Sequence, residues 1–285
     1  RSARRWQRSS RARFEPRVRA ASHSGRTMKL SALVAAAYVE VQRNLGVKPD
    51  VKARFNRLLR RPTEADFAAL AAFRPSPGSV VVDAGANRGE TIASVRLYLP
   101  EIPIIAFEPN PVLVDHIRAR HRGDPALTLH PVGLSDAAGR FELHVPYYKG
   151  VPFYGLASFK REEAANWLSA ERLAGFDPRH QDIRTFDCEV ARLDAFALAP
   201  CFVKIDVQGL EAAVIAGGAE TLARHKPVIL MENNDPERDS RQLAAMGYRH
   251  YAFNGGRMHA ERWGSLNTFY IHPQTAGLFD AAVFA

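Results

Sequence analysis

Apolar positions follow two rhythms along the chain, short continuous runs of four to six residues and longer stretches in which they return every third or fourth place. The alternation predicts buried strands separated by amphipathic helices. The first run is V-V-V at 80–82, closed by Asp83, after which A-G-A-N-R-G turns the chain into a helix starting near Glu90. A second unit repeats the pattern: a strand over 102–107 ending in Glu108, the breaker Pro109-Asn110-Pro111, and a helix over 112–121. A third strand over 127–132 runs into G-L-S-D-A-A-G-R, which reads as a hairpin turn returning through a strand over 140–145. Further on, a strand over 202–205 ends in Asp206, Gly209 turns the chain, and Glu211 opens a helix over 212–216. A strand over 228–231 precedes Glu232-Asn233-Asn234, followed by a helix over 238–246. Strands over 248–253 and 267–271, with the turn Asn254-Gly255-Gly256 after the first, are predicted to pair as a hairpin. The result is an α/β protein with a mainly parallel sheet and one antiparallel strand.

Two regions do not fit that alternation. Residues 30–73 carry helical patterns over 30–45, 51–59 and 64–73, the last with Thr63 as N-cap after Pro62, and predict a helical preface that packs on the sheet or covers a ligand. Residues 146–186 hold Tyr147, Tyr148, Phe153, Tyr154, Phe159 and Trp167 among Gly, Pro and charge. A long irregular insertion of this kind is either a lid or substrate wall, or a loop held by its own satellite cluster. The expected division is a disordered basic leader at 1–27, the helical extension at 28–75, the main domain at 76–273 and a tail at 274–285.

Charge changes the picture only at one end. The chain carries +9, but residues 1–27 hold nine Arg and one Glu, so +8 lies in the leader and the remainder is nearly neutral. That removes the basic footprint of a nucleic-acid binder from the body. The leader's composition matches a transit peptide or a basic arm, and is read here as translated sequence upstream of a start at Met28. Lys29 with L-S-A-L-V-A-A-A-Y resembles a short signal peptide, yet the pattern continues through Val39 and Val41 in helical spacing. No run approaches membrane-spanning length. Cys188 and Cys201 have neither metal nor redox spacing, as in a reduced, cytoplasmic protein.

The first turn selects the ligand. A dinucleotide fingerprint needs glycine at the positions of Gly85, Asn87 and Glu90, and two of the three are missing, which argues against a nicotinamide-dependent oxidoreductase. Asp83 would repel a pyrophosphate but suits a ligand with an ammonium group, such as S-adenosylmethionine. Glu108, about 20 residues after the turn, stands where a carboxylate receives ribose hydroxyls. Gly85, Asn87 and Gly89 would let the backbone approach, and Ser135 and Asp136 are placed to bond the adenine amino group or to act as turn formers. Asp206 and Glu232 both finish parallel strands and would face one crevice if those strands are neighbours.

Taken together, D-A-G-A-N-R-G, F-E-P-N-P, the G-L-S-D turn, L-D-A-F at 193–196, V-K-I-D-V-Q-G-L-E and the closing Met231-Glu232 resemble the FkbM-like family of S-adenosylmethionine-dependent O-methyltransferases, over about 80–273. The resemblance implies a class I, Rossmann-like methyltransferase fold of seven strands in the order 3-2-1-4-5-7-6, with helices on both faces. It also implies methyl transfer to a hydroxyl of a small molecule, sugar or glycan. Gln208 stands where the family usually has an acid. Asp206, Glu232 and Glu211 are the catalytic candidates, and Asp206 also borders the cofactor. Two close carboxylates raise one pKa toward that of a useful base, or else hold a divalent cation with Asn233; the metal-free version is preferred because no histidine or third acid is fixed nearby. A module that binds the cofactor without turnover is the alternative. The sequence identifies neither the acceptor nor an oligomeric state.

Overall fold

The computed structural model describes residues 61–285, so the leader and the helices expected over 30–45 and 51–59 lie outside the described residues. Two sheets organise the rest. The larger is built from β1 (Val80–Ala84), β2 (Ile104–Phe107), β3 (Leu127–His130), β8 (Pro200–Ile205), β9 (Val228–Glu232), β10 (Arg249–Asn254), β11 (Arg257–Ala260) and β12 (Asn267–Ile271). Its order is β11-β10-β12-β9-β8-β1-β2-β3. The smaller has the order β4-β7-β5-β6, from β4 (Gly133–Leu134), β5 (Gly139–Tyr148), β6 (Val151–Pro152) and β7 (Gln181–Ala191).

The central strands β1, β2, β3, β8 and β9 are all parallel, and their apolar residues feed two clusters on opposite faces. Val81, Phe202 and Leu230 belong to one cluster; Val82, Val203 and Ile229 belong to the other. Burial on both faces is what continuous apolar runs encode. The helices that cover the sheet are α1 (Glu90–Tyr98), α2 (Pro111–Arg120), α4 (Glu211–Gly217), α5 (Ala219–His225) and α6 (Pro236–Ala245), while α3 (Arg161–Asn166) lies in the insertion. Asn110 caps α2 by accepting the Val112 N–H at 3.0 Å, and Asp235 caps α6 by accepting that of Arg238 at 3.2 Å. In both, proline at the first position needs no hydrogen-bond partner.

Four expectations are corrected. The sheet is mixed and has eight strands rather than a mainly parallel seven, because Asn254-Gly255-Gly256 turns directly into β11, and β12 returns to insert between β10 and β9, antiparallel to both. Strand 248–253 and strand 267–271 are therefore neighbours without being a tight hairpin. Strand 127–132 does not pair with 140–145: β3 stays in the large sheet, whereas β5 joins the small one over a ten-residue register with β7. The insertion is accordingly ordered around a long two-stranded ribbon. Finally, 64–73 is a 3-10 helix over Ala65–Ala72, and Thr63 does not cap it; the Thr63 N–H instead donates to Ser94 Oγ at 3.1 Å. Phe67, Leu70 and Phe73 bury against the face of the sheet that holds Phe202, and Phe279 and Val283 of the final residues join them.

Candidate functional site

The carboxyl ends of β1, β2, β8 and β9 meet on one side of the large sheet. Gly85 leaves β1 with φ +88°, and a Cβ there would overlap the Asp206 carbonyl. Only glycine permits both that conformation and that approach. The N–H groups of Gly85 and Ala86 both donate to the Phe107 carbonyl at 3.0 Å, which ties the turn to the end of β2. Asn87 follows with φ +49°, and its N–H reaches Glu108 Oε2 at 2.8 Å. Glu108 Oε1 accepts from the Asn110 N–H at 2.9 Å. The carboxylate is thus held at both oxygens, and burial pushes its pKa up to about 7 against the lowering effect of those two bonds. A residue on each side of Glu108 is needed to fix it, and Asn110 was not among the sequence candidates.

Asp83 lies deeper. It is fully buried and raised to about 8 by burial, with Lys204 and the Thr91 hydroxyl acting the other way and neither oxygen in a hydrogen bond of full geometry. Lys204 is its register partner on β8 and is itself fully buried. The ammonium donates to Asn267 Oδ1 at 2.9 Å and lies 3.6 Å from Asp206 Oδ2. Asn267 in turn donates to Glu64 Oε2 and Asp66 Oδ2 at 2.8 and 2.9 Å. Lys204, the one lysine or arginine buried among the described residues, thereby underlies a group of acids reaching from the first turn to the end of β8.

Parallel pairing of β8 with β9 carries Asp206 and Glu232 side by side, since Ile205 pairs with Met231. Gln208 joins them: its Nε2 donates to Asp206 Oδ1 at 3.0 Å and to Glu232 Oε2 at 3.1 Å. It is held for this by a backbone at φ +54°, a region that costs a non-glycine residue energy and concentrates at functional sites. Burial first, then the neighbouring Asp206, raise Glu232 to about 8. Glu211, fully buried at the start of α4, is turned to the loop instead: its Oε1 accepts from the Gly209 N–H at 3.1 Å and from Asn234 Nδ2 at 2.9 Å. Among the described residues no three His, Cys, Asp or Glu side chains are grouped to hold a metal ion.

A cavity opens over these strand ends. Gly85, Asn87, Glu108, Asp206 and Gln208 line its floor, and Leu143, Tyr154, Ser158 and Phe159 of the small sheet and insertion close the opposite side. The Arg88 guanidinium lies 5.3 Å from the centre of the Tyr154 ring, bridging the turn to the insertion. The remaining candidates sit around the cavity and outside its lining. Gly89 caps α1 at φ +80° and packs on His121. Ser135 donates its N–H to the Ala191 carbonyl at 2.9 Å, its hydroxyl bonds Asp136 Oδ1 at 3.2 Å, and its carbonyl packs where Gly217 has no Cβ. Tyr154 and Phe159 had no signal beyond the aromatic density of the insertion, and Leu143 none beyond its place in the strand over 140–145, because nothing local says which element brings them over the turn.

Residues 83–261 match the family model described as the methyltransferase FkbM domain. The 2-O-methyltransferase NoeI of Sinorhizobium fredii (strain NBRC 101917 / NGR234) is 29% identical over 190 residues, 65% of this chain and 76% of that protein. Among solved structures, a methyltransferase FkbM from Methylobacillus flagellatus KT aligns at TM-score 0.44 and 13% identity over 81% of this chain, which spans 60% of the length of that one. Fibrillarin from Aeropyrum pernix, solved with natively bound S-adenosyl-L-methionine, aligns at TM-score 0.36 and 12% identity over 72% of each chain.

Proposed function

The chain belongs to the FkbM methyltransferase family, and from that premise we propose that it is an S-adenosylmethionine-dependent O-methyltransferase acting on a hydroxyl of a small-molecule or glycan acceptor. The observation that carries the reading is Asp206, at the floor of a cavity that also contains Glu108, tied through the Gln208 amide to Glu232 just behind the lining. When bound, the cofactor supplies a methyl group already activated on a sulfonium.

The residues present fit that cofactor. Glu108 keeps lone pairs on both oxygens after accepting two backbone N–H groups and is oriented to receive ribose hydroxyls. Gly85 and Asn87 let the backbone pass close to the ligand, and Leu143, Tyr154 and Phe159 offer apolar and aromatic surface to a flat base. The acidic floor suits a ligand bearing an ammonium and a sulfonium. Asp83 lies behind the lining, and burial, by raising its carboxyl to about 8, leaves it mostly neutral at pH 7, so it makes neither contact nor charge available to the ligand.

The acceptor's proton is the remaining chemical problem, because an alcohol is barely ionised at neutral pH. A carboxylate raised to about 8 is a far better base than an ordinary one, and the pair can hold one shared proton. Lys204, 3.6 Å from Asp206, favours the ionised form of the pair. The bridging position between the two carboxylates is taken by the amide hydrogens of Gln208, a donor where a cation would need an acceptor, which supports the base reading over the divalent-cation one. Ser135 and Asp136 are assigned to the turn that seats α4, and Glu211 to holding the Gly209 loop.

The test is incubation with methyl-labelled S-adenosylmethionine and a library of hydroxylated acceptors. Label recovered as a base-stable ether supports the proposal. Tight cofactor binding with no transfer to any acceptor would leave a binding module in its place.

A further inference from the structure

Glu64 and Asp66 bring negative charge to the strand ends from outside the family domain. They precede its span of 83–261, and Asn267, which donates to both of them, follows it. The preface that carries the two acids is fixed in place: Phe67, Leu70 and Phe73 are buried in the cluster that contains Phe202 and Leu230, and the Thr63 N–H is bonded to Ser94 of α1. Strand alternation puts Lys204 on that same face, two residues after Phe202, and strand pairing puts Asn267 of β12 directly beside Glu232 of β9. The face thus turns from apolar to polar at the strand ends, where the acids of the preface meet the ammonium across one amide.

That amide can sit only one way round. Asn267 Nδ2 carries two hydrogens and faces two carboxylates, Glu64 Oε2 at 2.8 Å and Asp66 Oδ2 at 2.9 Å, so Oδ1 is the atom that accepts from Lys204 Nζ at 2.9 Å. Asn267 is a neutral spacer that keeps the cation from closing on the acids of the preface. The carboxyls that face Lys204 are Glu64 and Asp66 of the preface, Asp83 of β1, Asp206 beyond the end of β8 and Glu232 of β9, and no other lysine or arginine is buried among the described residues. One positive charge is therefore divided among them, and whatever part of its field the preface draws is lost to Asp206, 3.6 Å away, and to Glu232. Burial raises Glu64 and Asp66 above the ordinary carboxylate range, and the charge of Asp206 adds to the rise in Glu64. Such coupling is reciprocal, so Glu64 acts back on Asp206.

Resting on the methyltransferase reading, we infer that Asn267, Glu64 and Asp66 are positioning residues for the transfer: by dividing the charge of Lys204 between the preface and the strand ends, they set how much negative charge Asp206 and Glu232 present to the acceptor hydroxyl. The preface is then a working part of the site as well as a cover on the sheet.

Carboxyl carbon-13 NMR of the full chain, free of ligand, follows the titration of the pair at Glu232, with Glu232→Gln to assign the resonance. In Glu64→Gln/Asp66→Asn, whose amide oxygens still accept from Asn267, the preface no longer draws on the ammonium, and the Glu232 midpoint should fall by about half a pH unit or more, a roughly threefold change in its acid constant. In Asn267→Ala the ammonium can close on Glu64 and Asp66, and the midpoint should rise; adding Glu64→Gln/Asp66→Asn to Asn267→Ala should reverse that rise. A midpoint unmoved in Glu64→Gln/Asp66→Asn overturns the inference, and that variant decides alone if Asn267→Ala does not fold. So does a midpoint that fails to rise in folded Asn267→Ala, or a rise that the added substitutions leave in place. The titration needs neither S-adenosylmethionine nor an acceptor, so an absence of methyl transfer would sink the methyltransferase reading while the charge network is judged on its own. Where transfer is found, the pH at which it levels off should move with the midpoint across these variants, and a plateau that stays in place would overturn the positioning role.

Discussion

Glu108 illustrates how much of the site lives in single residues. Its place at the end of β2 was legible because it closes a buried run at the characteristic interval from the glycine turn. Its two backbone bonds were not, since they depend on Asn87 adopting φ +49°. They add a consequence: Glu108→Ala removes a ribose ligand and also strands two buried N–H donors. Cofactor affinity should fall at least about tenfold, and stability should fall by about 1–3 kcal/mol for each N–H that water does not reach. Calorimetry and thermal melting read the two separately, and unchanged affinity would remove Glu108 from the cofactor site. Glu232 makes a different prediction. Held near 8 by burial and by Asp206, it is mostly protonated at neutral pH, so a turnover that needs it as base should rise with pH, approaching tenfold per unit well below 8, and level off above. A flat profile between pH 6 and 9 with chemistry rate-limiting would exclude that role. Gln208 was visible in the sequence only as a residue type, because its clamp on both carboxylates arises from a left-handed backbone that no local pattern announces.

At the level of elements, the continuous apolar runs identified the central parallel strands to within two or three residues, and both clusters of buried side chains follow from them. Of the small sheet only the strand over 140–145 was legible, and the rest escaped notice for a physical reason. In β7 the alternation changes phase, with Ile183 on one parity and Phe186, Cys188 and Val190 on the other, separated by Arg184-Thr185. β5 continues through Pro146 into Tyr147 and Tyr148, where a proline argues against a strand interior. Alternation that slips in β7 reads as loop, and the proline in β5 ends the strand read there at residue 145, although ten residues pair. The strand-end turn is the element most exposed to a small change. Gly85→Ala would set a methyl group against the Asp206 carbonyl and a Cβ in a disfavoured backbone region. Either the β1 turn or the end of β8 must move, so a loss of at least about 1–3 kcal/mol in stability is expected together with weakened cofactor binding. Chemical denaturation measures it; a neutral substitution would mean that the close approach of the two loops is not required.

Across the whole molecule, burial of acids is the dominant electrostatic feature. Asp83, Glu108 and Glu232 are all raised, to about 8, 7 and 8. A carboxyl whose pKa is higher in the folded than in the unfolded protein holds its proton more tightly when folded. Between about pH 4 and 8 the folded state therefore carries more protons, and stability falls as pH rises, by up to about 1.4 kcal/mol per unit for each group that stays well isolated from solvent. The melting temperature of the ligand-free protein should accordingly be lower at pH 8 than at pH 5, and a rise over that interval would contradict the burial of these acids. Such a stressed acidic floor is stabilised by a bound cationic ligand, and it is there that donor and acceptor are proposed to meet. The most direct test is single-turnover transfer of labelled methyl from S-adenosylmethionine to an acceptor hydroxyl, at saturating cofactor, by the wild-type protein and by Asp206→Asn, each with and without a chelator. The account predicts transfer unaffected by chelation and slowed by about 10²-fold or more in Asp206→Asn even at saturating cofactor. Near-normal transfer by Asp206→Asn at unchanged stability, or its abolition by the chelator in the wild type, would contradict it.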